Sequence, residues 1–252
     1  MGRRSAAPPK SKRKGRRNMR ATVVLPTYNE SLNLERLVTQ LMACDTVASA
    51  VIVDDDSPDG TGAIADALEA RYQDRVYALH RYTMRGYSAA SRHGMARAMD
   101  LGSDVIVQMD ADRSHDPVHL ADMFRALESA DLVIGSRYVR GGTIVNWSRR
   151  RRWLSRYANV YVRCVGELAT RDCTSGFRAW RRSLLANLLA QRTPWSEGYA
   201  FLVEMLFLAE RAHSRIVEVP IAFTERQGGR SKMSWKIIAE SAIVPWTLDR
   251  TR

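Results

Sequence analysis

Short apolar runs, four of the five ending in acidic or hydroxyl-bearing residues, recur along the first half of the chain with helix-length segments between them. The runs are Ala21–Leu25, Ala50–Asp54, Val76–His80, Val105–Met109 and Leu132–Gly135. They are apolar throughout rather than alternating. That is the pattern of strands covered on both faces, as in a parallel sheet between helices. Helical segments are predicted at Ser31–Ala43, Thr61–Tyr72, Ser88–Leu101 and Pro117–Ser129, with Ser31 as an N-cap and Pro117 in a first turn. The order predicts an α/β fold with a mostly parallel central sheet. Ligands in such sheets bind at the carboxyl ends of the strands. Chemistry is therefore sought in the residues that directly follow each run.

Composition sets the outer limits. A length of 252 residues allows one large domain or two small ones, and 45% hydrophobic with 26% charged residues excludes a mostly disordered chain. Three cysteines without CxxC spacing predict a reduced, cytoplasmic fold. The net charge of +12 is uneven: residues 1–20 carry nine Lys/Arg and no acid, leaving +3 for the other 232 residues. Residues 1–20 read as a disordered basic tail, too poor in apolar residues to order itself and lacking the apolar stretch of a secretory signal. Such a tail suits a solvated leader, anionic lipid headgroups or nucleic acid. No uninterrupted run of 18 apolar residues is present, so no transmembrane helix is expected.

From about Ile144 the pattern loosens. Trp147, Arg149–Arg152, Trp153 and Arg156 crowd together, followed by helices near Trp153–Ala169 and Gly198–Ala212 and a strand at Ile216–Phe223. A final amphipathic segment is expected at Trp235–Leu248. Residues 21–252 read as one domain, with a nucleotide and metal half at 21–143 and an acceptor half at 144–252.

The strongest chemical signal is Asp110-Ala111-Asp112 after a buried-type strand. Carboxylates two residues apart at a strand end can face one ion, and oxygen ligands suit Mg²⁺ or Mn²⁺. Asp54 and Asp55 end another run, and Asp55 is read as facing a ligand, with the following SPDGT stretch as turn chemistry. Acidic strand ends converging on one edge repel each other unless a divalent cation or cationic side chains intervene. Candidate cations are Arg137 at a strand end, Arg226 and Lys232 around two glycines, and Arg149–Arg152, the last suiting a phosphate or a membrane surface at some positions and a solvated face at most. The sequence Gly60-Thr61-Gly62-Ala63-Ile64-Ala65 fits a dinucleotide fingerprint. It follows the second strand rather than the first, and no acidic ribose ligand ends the next strand.

These residues carry a resemblance. VVLPTYNE, VIVDDDSPDGT, VIVQMDADRSHDP, GSRYVRGG, NWSRRRRWLS, DCTSGFRAW, SEGYAFLVEMLFLAE and ERQGGRSKMSW occur in the order seen in dolichol-phosphate and polyprenol monophosphate mannosyltransferases of glycosyltransferase family 2. The likeness runs from about Thr22 to Trp246. It resembles the actinobacterial type without membrane spans. It implies a GT-A, Rossmann-like domain, a GDP-mannose donor, a polyprenyl phosphate acceptor and transfer with inversion. By motif position, Pro26, Tyr28 and Glu30 contact the nucleotide, and Val53 and Asp55 hold base or ribose. Asp110 and Asp112 bind Mg²⁺ or Mn²⁺, with the Ala111 backbone nearby. Ser114 takes a third metal position where some relatives carry Gln. Arg226 and Lys232 hold the diphosphate, and Arg137, Arg151 and Ser155 receive the acceptor phosphate. Asp112 and Arg137 stand as the catalytic pair. A Lys-Gly-Leu-Gly-like turn is replaced here by Arg85-Gly86-Tyr87-Ser88.

The acceptor phosphate is already an anion, so this chemistry needs no strong general base. The larger task is stabilising the departing nucleotide. The acceptor implies peripheral contact with an anionic membrane at its cytoplasmic face, through the tail and an edge of Trp147, Trp153 and Arg149–Arg152, or recruitment by a separate membrane-anchoring protein. Competing readings are a family-2 enzyme placing glucose or another sugar on the same lipid, an inactive nucleotide-sugar-binding relative, and a basic nucleic-acid-binding protein. No nucleic-acid module supports the last.

Overall fold

The computed structural model describes residues 19–191, 196–198 and 200–225. The basic segment 1–18, Arg226, Lys232 and the expected segment at Trp235–Leu248 lie outside them. Arg20, counted with the tail above, already belongs to the fold: its backbone N–H donates to Asp104 Oδ2 (3.0 Å) and its carbonyl accepts from Asp104 and Val105.

Seven strands form the main sheet in the order β3-β2-β1-β4-β7-β5-β8. They are β1 (Ala21–Thr27), β2 (Ser49–Asp54), β3 (Val76–His80), β4 (Val105–Gln108), β5 (Leu132–Ser136), β7 (Arg178–Arg181) and β8 (Ile216–Pro220). All neighbours pair in parallel except β7, which runs antiparallel between β4 and β5. The sheet is thus mostly parallel, and it draws strands from both sides of residue 143. β6 (Thr143–Val145) and β9 (Ala222–Thr224) make a separate parallel pair. The single strand expected at Ile216–Phe223 is two strands. Pro220 ends the first, having no N–H to extend a ladder, and Ile221 then bonds to Ser136 and Thr143 between the two sheets.

Helices α1 (Leu34–Met42), α2 (Thr61–Tyr72), α3 (Tyr87–Asp100) and α4 (Leu120–Leu127) fill the intervals between the early strands. α5 (Arg149–Gly166), α6 (Arg182–Leu189) and α7 (Ala200–Arg211) follow. Ser31 does not cap α1. The N-cap position is Asn33, whose side chain donates to Glu30 Oε2, while the Ser31 N–H donates to Asp59 Oδ2. Pro117 opens a 3₁₀ turn, Pro117–His119, capped by the Asp116 carboxylate before α4 begins. α5 starts four residues earlier than expected because the Ser148 hydroxyl accepts from the Arg151 N–H.

The core lies on both faces of the sheet. On one face Leu34, Leu37 and Leu41 of α1 and Met123 and Leu127 of α4 cover β1, β2 and β4. On the other, α3, α6 and α7 pack on Ile106, Leu132, Ile134 and Trp180. Gly94 lets α3 lie directly on the sheet: a Cβ there would stand 2.8 Å from Val53 Cγ2 and closer still to Val24. Among the described residues no helix is long and apolar enough to cross a membrane.

Candidate active site

A cavity of about 360 Å³ opens at the carboxyl ends of β1, β2 and β4. Its wall brings together Pro26, Tyr28, Glu30, Asp55, Asp110, Ala111 and Asp112. Six wall residues were given no role from the sequence: Thr27, Arg85, Gly86, Tyr87, Ala90 and Gly198. Val53 is not on the wall. Its side chain is sealed in the core under α3, and its carbonyl accepts from Thr27 Oγ1 (3.1 Å).

Each carboxylate on this edge has its own support. Asp55 Oδ1 accepts from Arg81 Nη1 at 2.6 Å, and Oδ2 accepts from the Gly86 N–H at 2.7 Å. Both side chains are buried, so Arg81 is one cation that relieves the acidic edge. Asp110 Oδ1 accepts from the Tyr87 hydroxyl (3.0 Å). Asp112 Oδ1 accepts from both the N–H (2.9 Å) and the hydroxyl (2.5 Å) of Ser114. Asp54 is turned inward to Thr27 and Ser57, as turn chemistry requires. Asp56 pairs with Arg85 at the rim. His115 lies under the Asp110–Asp112 turn, where its Nδ1 accepts the Asp110 N–H (3.2 Å). Burial pushes its pKa down, against the pull of Asp110 and Asp112, so the ring is neutral and holds the turn as an acceptor.

A second polar cluster stands beside the first. Arg137 forms a forked pair with Asp172 and also donates to Thr174 Oγ1 (2.8 Å). Burial alone would lower the Arg137 pKa. The adjoining Asp172 carboxylate more than offsets this, and the net direction is upward. The guanidinium lies over Phe223 (5.2 Å to the ring centre), and Phe223 also meets the His115 ring edge-on (5.4 Å). Arg151 donates to Glu225 Oε1 (2.7 Å) and covers the Trp147 ring at 4.1 Å. Tyr138 donates its hydroxyl to Ser155 Oγ (2.7 Å). Arg137, Arg151 and Ser155 thus share one aromatic-lined neighbourhood, outside the cavity wall.

Trp147, expected at a membrane-facing edge, is only 5% exposed, because Arg151 and Phe223 close over it. The exposed stripe of α5 is instead Trp153 (73%), Tyr157 (69%) and Val160 (50%), bordered by exposed Arg149, Arg150, Arg152 and Arg156.

The profile of Glycosyl transferase family 2 matches residues 22–189. The polyprenol monophosphomannose synthase of Mycolicibacterium smegmatis is 41% identical over 244 residues, 94% of this chain and 92% of the relative. The undecaprenyl-phosphate mannosyltransferase of Micrococcus luteus is 41% identical over 89% of this chain and 92% of its own length. The dolichol-phosphate mannosyltransferase of Pyrococcus furiosus is 35% identical over 88% of this chain, which spans 61% of that longer protein. Among solved structures, glucosyl-3-phosphoglycerate synthase of Mycobacterium tuberculosis with phosphoglyceric acid superposes with a TM-score of 0.66 at 20% identity, covering 91% of this chain and 78% of that one. This last likeness speaks to the fold alone. A mostly parallel sheet with acidic strand ends around one cavity, a family profile over most of the chain and near full-length relatives together show that this chain belongs to glycosyltransferase family 2, alongside the polyprenyl-phosphate mannosyltransferases.

Proposed function

We propose that this chain transfers mannose from GDP-mannose to a polyprenyl monophosphate, with inversion at the sugar carbon. The observation that carries the reading is the convergence of Tyr28, Glu30, Asp55, Asp110 and Asp112 on one cavity with an arginine cluster beside it. The relatives' names supply the sugar and the lipid class.

The donor set fits a hard divalent cation. Asp110 and Asp112 offer oxygen ligands, and among the described residues no third acid, His or Cys joins them in a ligand group. Mg²⁺ and Mn²⁺ suit such sites, since one or two carboxylates, substrate phosphate and water complete their shell. When bound there, the ion would neutralise the diphosphate leaving group. Solved structures of the M. tuberculosis enzyme hold Mn²⁺ or Mg²⁺ with uridine diphosphate.

The chain's own residues do the rest. Pro26, Tyr28 and Glu30 line the nucleotide end, where Asp55 is held for base or ribose and Val53 has only backbone to offer. Ser114 orients Asp112. Arg226 and Lys232, beyond the described residues, hold the diphosphate. Arg151 and Ser155 receive the acceptor phosphate, and Arg137, neutralised in part by Asp172, shapes its seat. No base is needed, because the attacking phosphate oxygen carries no proton to remove. The exposed α5 stripe with its arginines and the basic N-terminal segment give the domain an electrostatic hold on an anionic bilayer.

The test is purified protein with labelled GDP-mannose, UDP-glucose or UDP-GlcNAc and a short polyprenyl phosphate, followed by lipid extraction. Label in the lipid phase from GDP-mannose alone is expected. Transfer from UDP-glucose alone would replace mannose with glucose in this reading.

A further inference from the structure

We propose that Tyr87 is a positioning residue for Asp110, and that Gly176 is its steric counterpart, the two together setting how the first carboxylate meets a metal-bound nucleotide. The proposal rests on the reading of Asp110 and Asp112 as the metal-nucleotide ligands and adds to it a residue outside the carboxylate pair.

Tyr87 is the first residue of α3 and stands on the cavity wall. It follows Gly86, whose φ of 137° is a conformation that side chains rarely adopt. That glycine carries the chain from the Asp55-bound N–H into the helix and fixes the direction from which the ring enters. The Tyr87 hydroxyl accepts from Gln108 Nε2 (3.2 Å) and donates to Asp110 Oδ1 (3.0 Å). Gln108 is fully buried on β4, two residues before Asp110. Because the amide donates to the phenol oxygen, the phenol proton is directed at the carboxylate. A sheet-anchored amide, a ring and a carboxylate thus form one chain of bonds, and the plane of Asp110 is set from beneath.

Gly176 makes room for this arrangement. A Cβ there would lie 3.0 Å from the Tyr87 oxygen, 3.1 Å from Asp110 Oδ1 and 3.3 Å from Oδ2. Its backbone does not require glycine for conformational reasons, since it is not among the positive-φ residues. The constraint is the space occupied by the hydroxyl–carboxylate contact. Supporting hydrogen bonds to ligating carboxylates orient them and tune their affinity, and losing one typically costs metal affinity tenfold to a hundredfold.

The experiment is calorimetric titration of the full chain with GDP, in excess Mn²⁺ and again in EDTA, for wild type, Tyr87→Phe, Gly176→Ala and the double variant. Wild type should gain affinity with Mn²⁺. Tyr87→Phe should lose roughly tenfold or more of that affinity, with its EDTA affinity and thermal midpoint close to wild type. Gly176→Ala should show a similar loss with the ring intact, which keeps the test open should the Phe variant fold poorly. The double variant should lose less than the sum, because Phe removes the oxygen that the new methyl would meet. An undiminished Mn²⁺ gain in Tyr87→Phe overturns the positioning role, and strictly additive losses overturn the pairing with Gly176. A wild type without any Mn²⁺ gain overturns the metal reading and this proposal together.

Discussion

Arg137 and Asp172 form a two-bond fork, Nε to Oδ2 at 2.8 Å and Nη2 to Oδ1 at 2.6 Å, with the Arg137 N–H also donating to Oδ2 at 2.9 Å. Both side chains are buried, so neither charge has water to fall back on. Breaking such a pair from one side costs about 3–5 kcal/mol, whereas replacing both members with apolar groups costs far less. Asp172→Ala should therefore lower unfolding free energy by about that amount, and Arg137→Met/Asp172→Leu should recover much of it. Urea denaturation of both variants checks this, and equal losses would contradict it.

Asp112→Ala should reduce transfer by two orders of magnitude or more, on the scale of losing a main electrostatic stabiliser of the leaving group. Its effect on stability should stay within about 1–3 kcal/mol, since two Ser114 donors, the N–H and the hydroxyl, lose their acceptor. Radiolabel transfer beside circular dichroism measures both. Near wild-type turnover in EDTA would remove the metal role from the pair.

Arg151 and Arg226 should separate by substrate. Arg151→Ala should raise the KM for polyprenyl phosphate, and Arg226→Ala that for GDP-mannose. Each loses a charge-assisted phosphate contact of about 1.5–3 kcal/mol, or roughly tenfold to a hundredfold. Steady-state kinetics with each substrate varied decides this. A change in the GDP-mannose KM alone for both would collapse the two phosphate seats into one.

Glu204 gives a pH signature. It is buried on α7, and burial pushes its pKa up, only partly offset by the Ser196 N–H (2.6 Å) and the charge of Arg92. A carboxyl raised in the folded state favours folding while protonated. That contribution is full below the usual carboxylate range and is lost as pH rises through the raised value. Glu204→Gln should thus gain on wild type as pH climbs from about 4 to 7. Thermal midpoints across that window should diverge, and parallel curves would refute the shift.

The α5 stripe should govern vesicle binding. Trp153→Ala/Tyr157→Ala should weaken co-sedimentation with anionic vesicles, and 0.5 M salt, with a screening length of about 4 Å, should weaken it further. Equal binding to neutral and anionic vesicles, indifferent to salt, would exclude an electrostatic hold.

The sequence was most legible where physics is local. β1, β2, β4 and β5 stand out because both their faces are covered, which leaves unbroken apolar runs, and the acids after β1, β2 and β4 mark the ligand edge; β3, at the sheet edge, is buried only at Val76. β7 was hidden because its first residue, Arg178, looks like surface. It is fully buried, with its guanidinium given to the carbonyls of Ser175 (2.8 Å), Leu202 (2.6 Å) and Cys173 (2.9 Å), and burial lowers its pKa to about 10. The support of the site was equally hidden. Asp55 meets Arg81 across 26 residues, and Asp110 meets Tyr87 across 23. No spacing rule encodes such pairs. Trp147 misled for the opposite reason, since an aromatic among arginines reads as an exposed edge until Arg151 is seen lying over it.

The antiparallel β7 has a consequence for how the chain is made. β4 finishes its sheet only when Arg178–Arg181 arrives, some 70 residues after Val105–Gln108. Until then a ribosome-bound chain carries β3-β2-β1-β4 with a bare apolar edge, VIVQ, of the kind that pairs with other chains. A fragment ending near residue 145 would hold the DAD turn yet keep that edge open, and would be more prone to clump than to bind nucleotide. The hidden arginine strand thus acts as a late clasp: the first half becomes a safe, finished surface only once the second half has been synthesised.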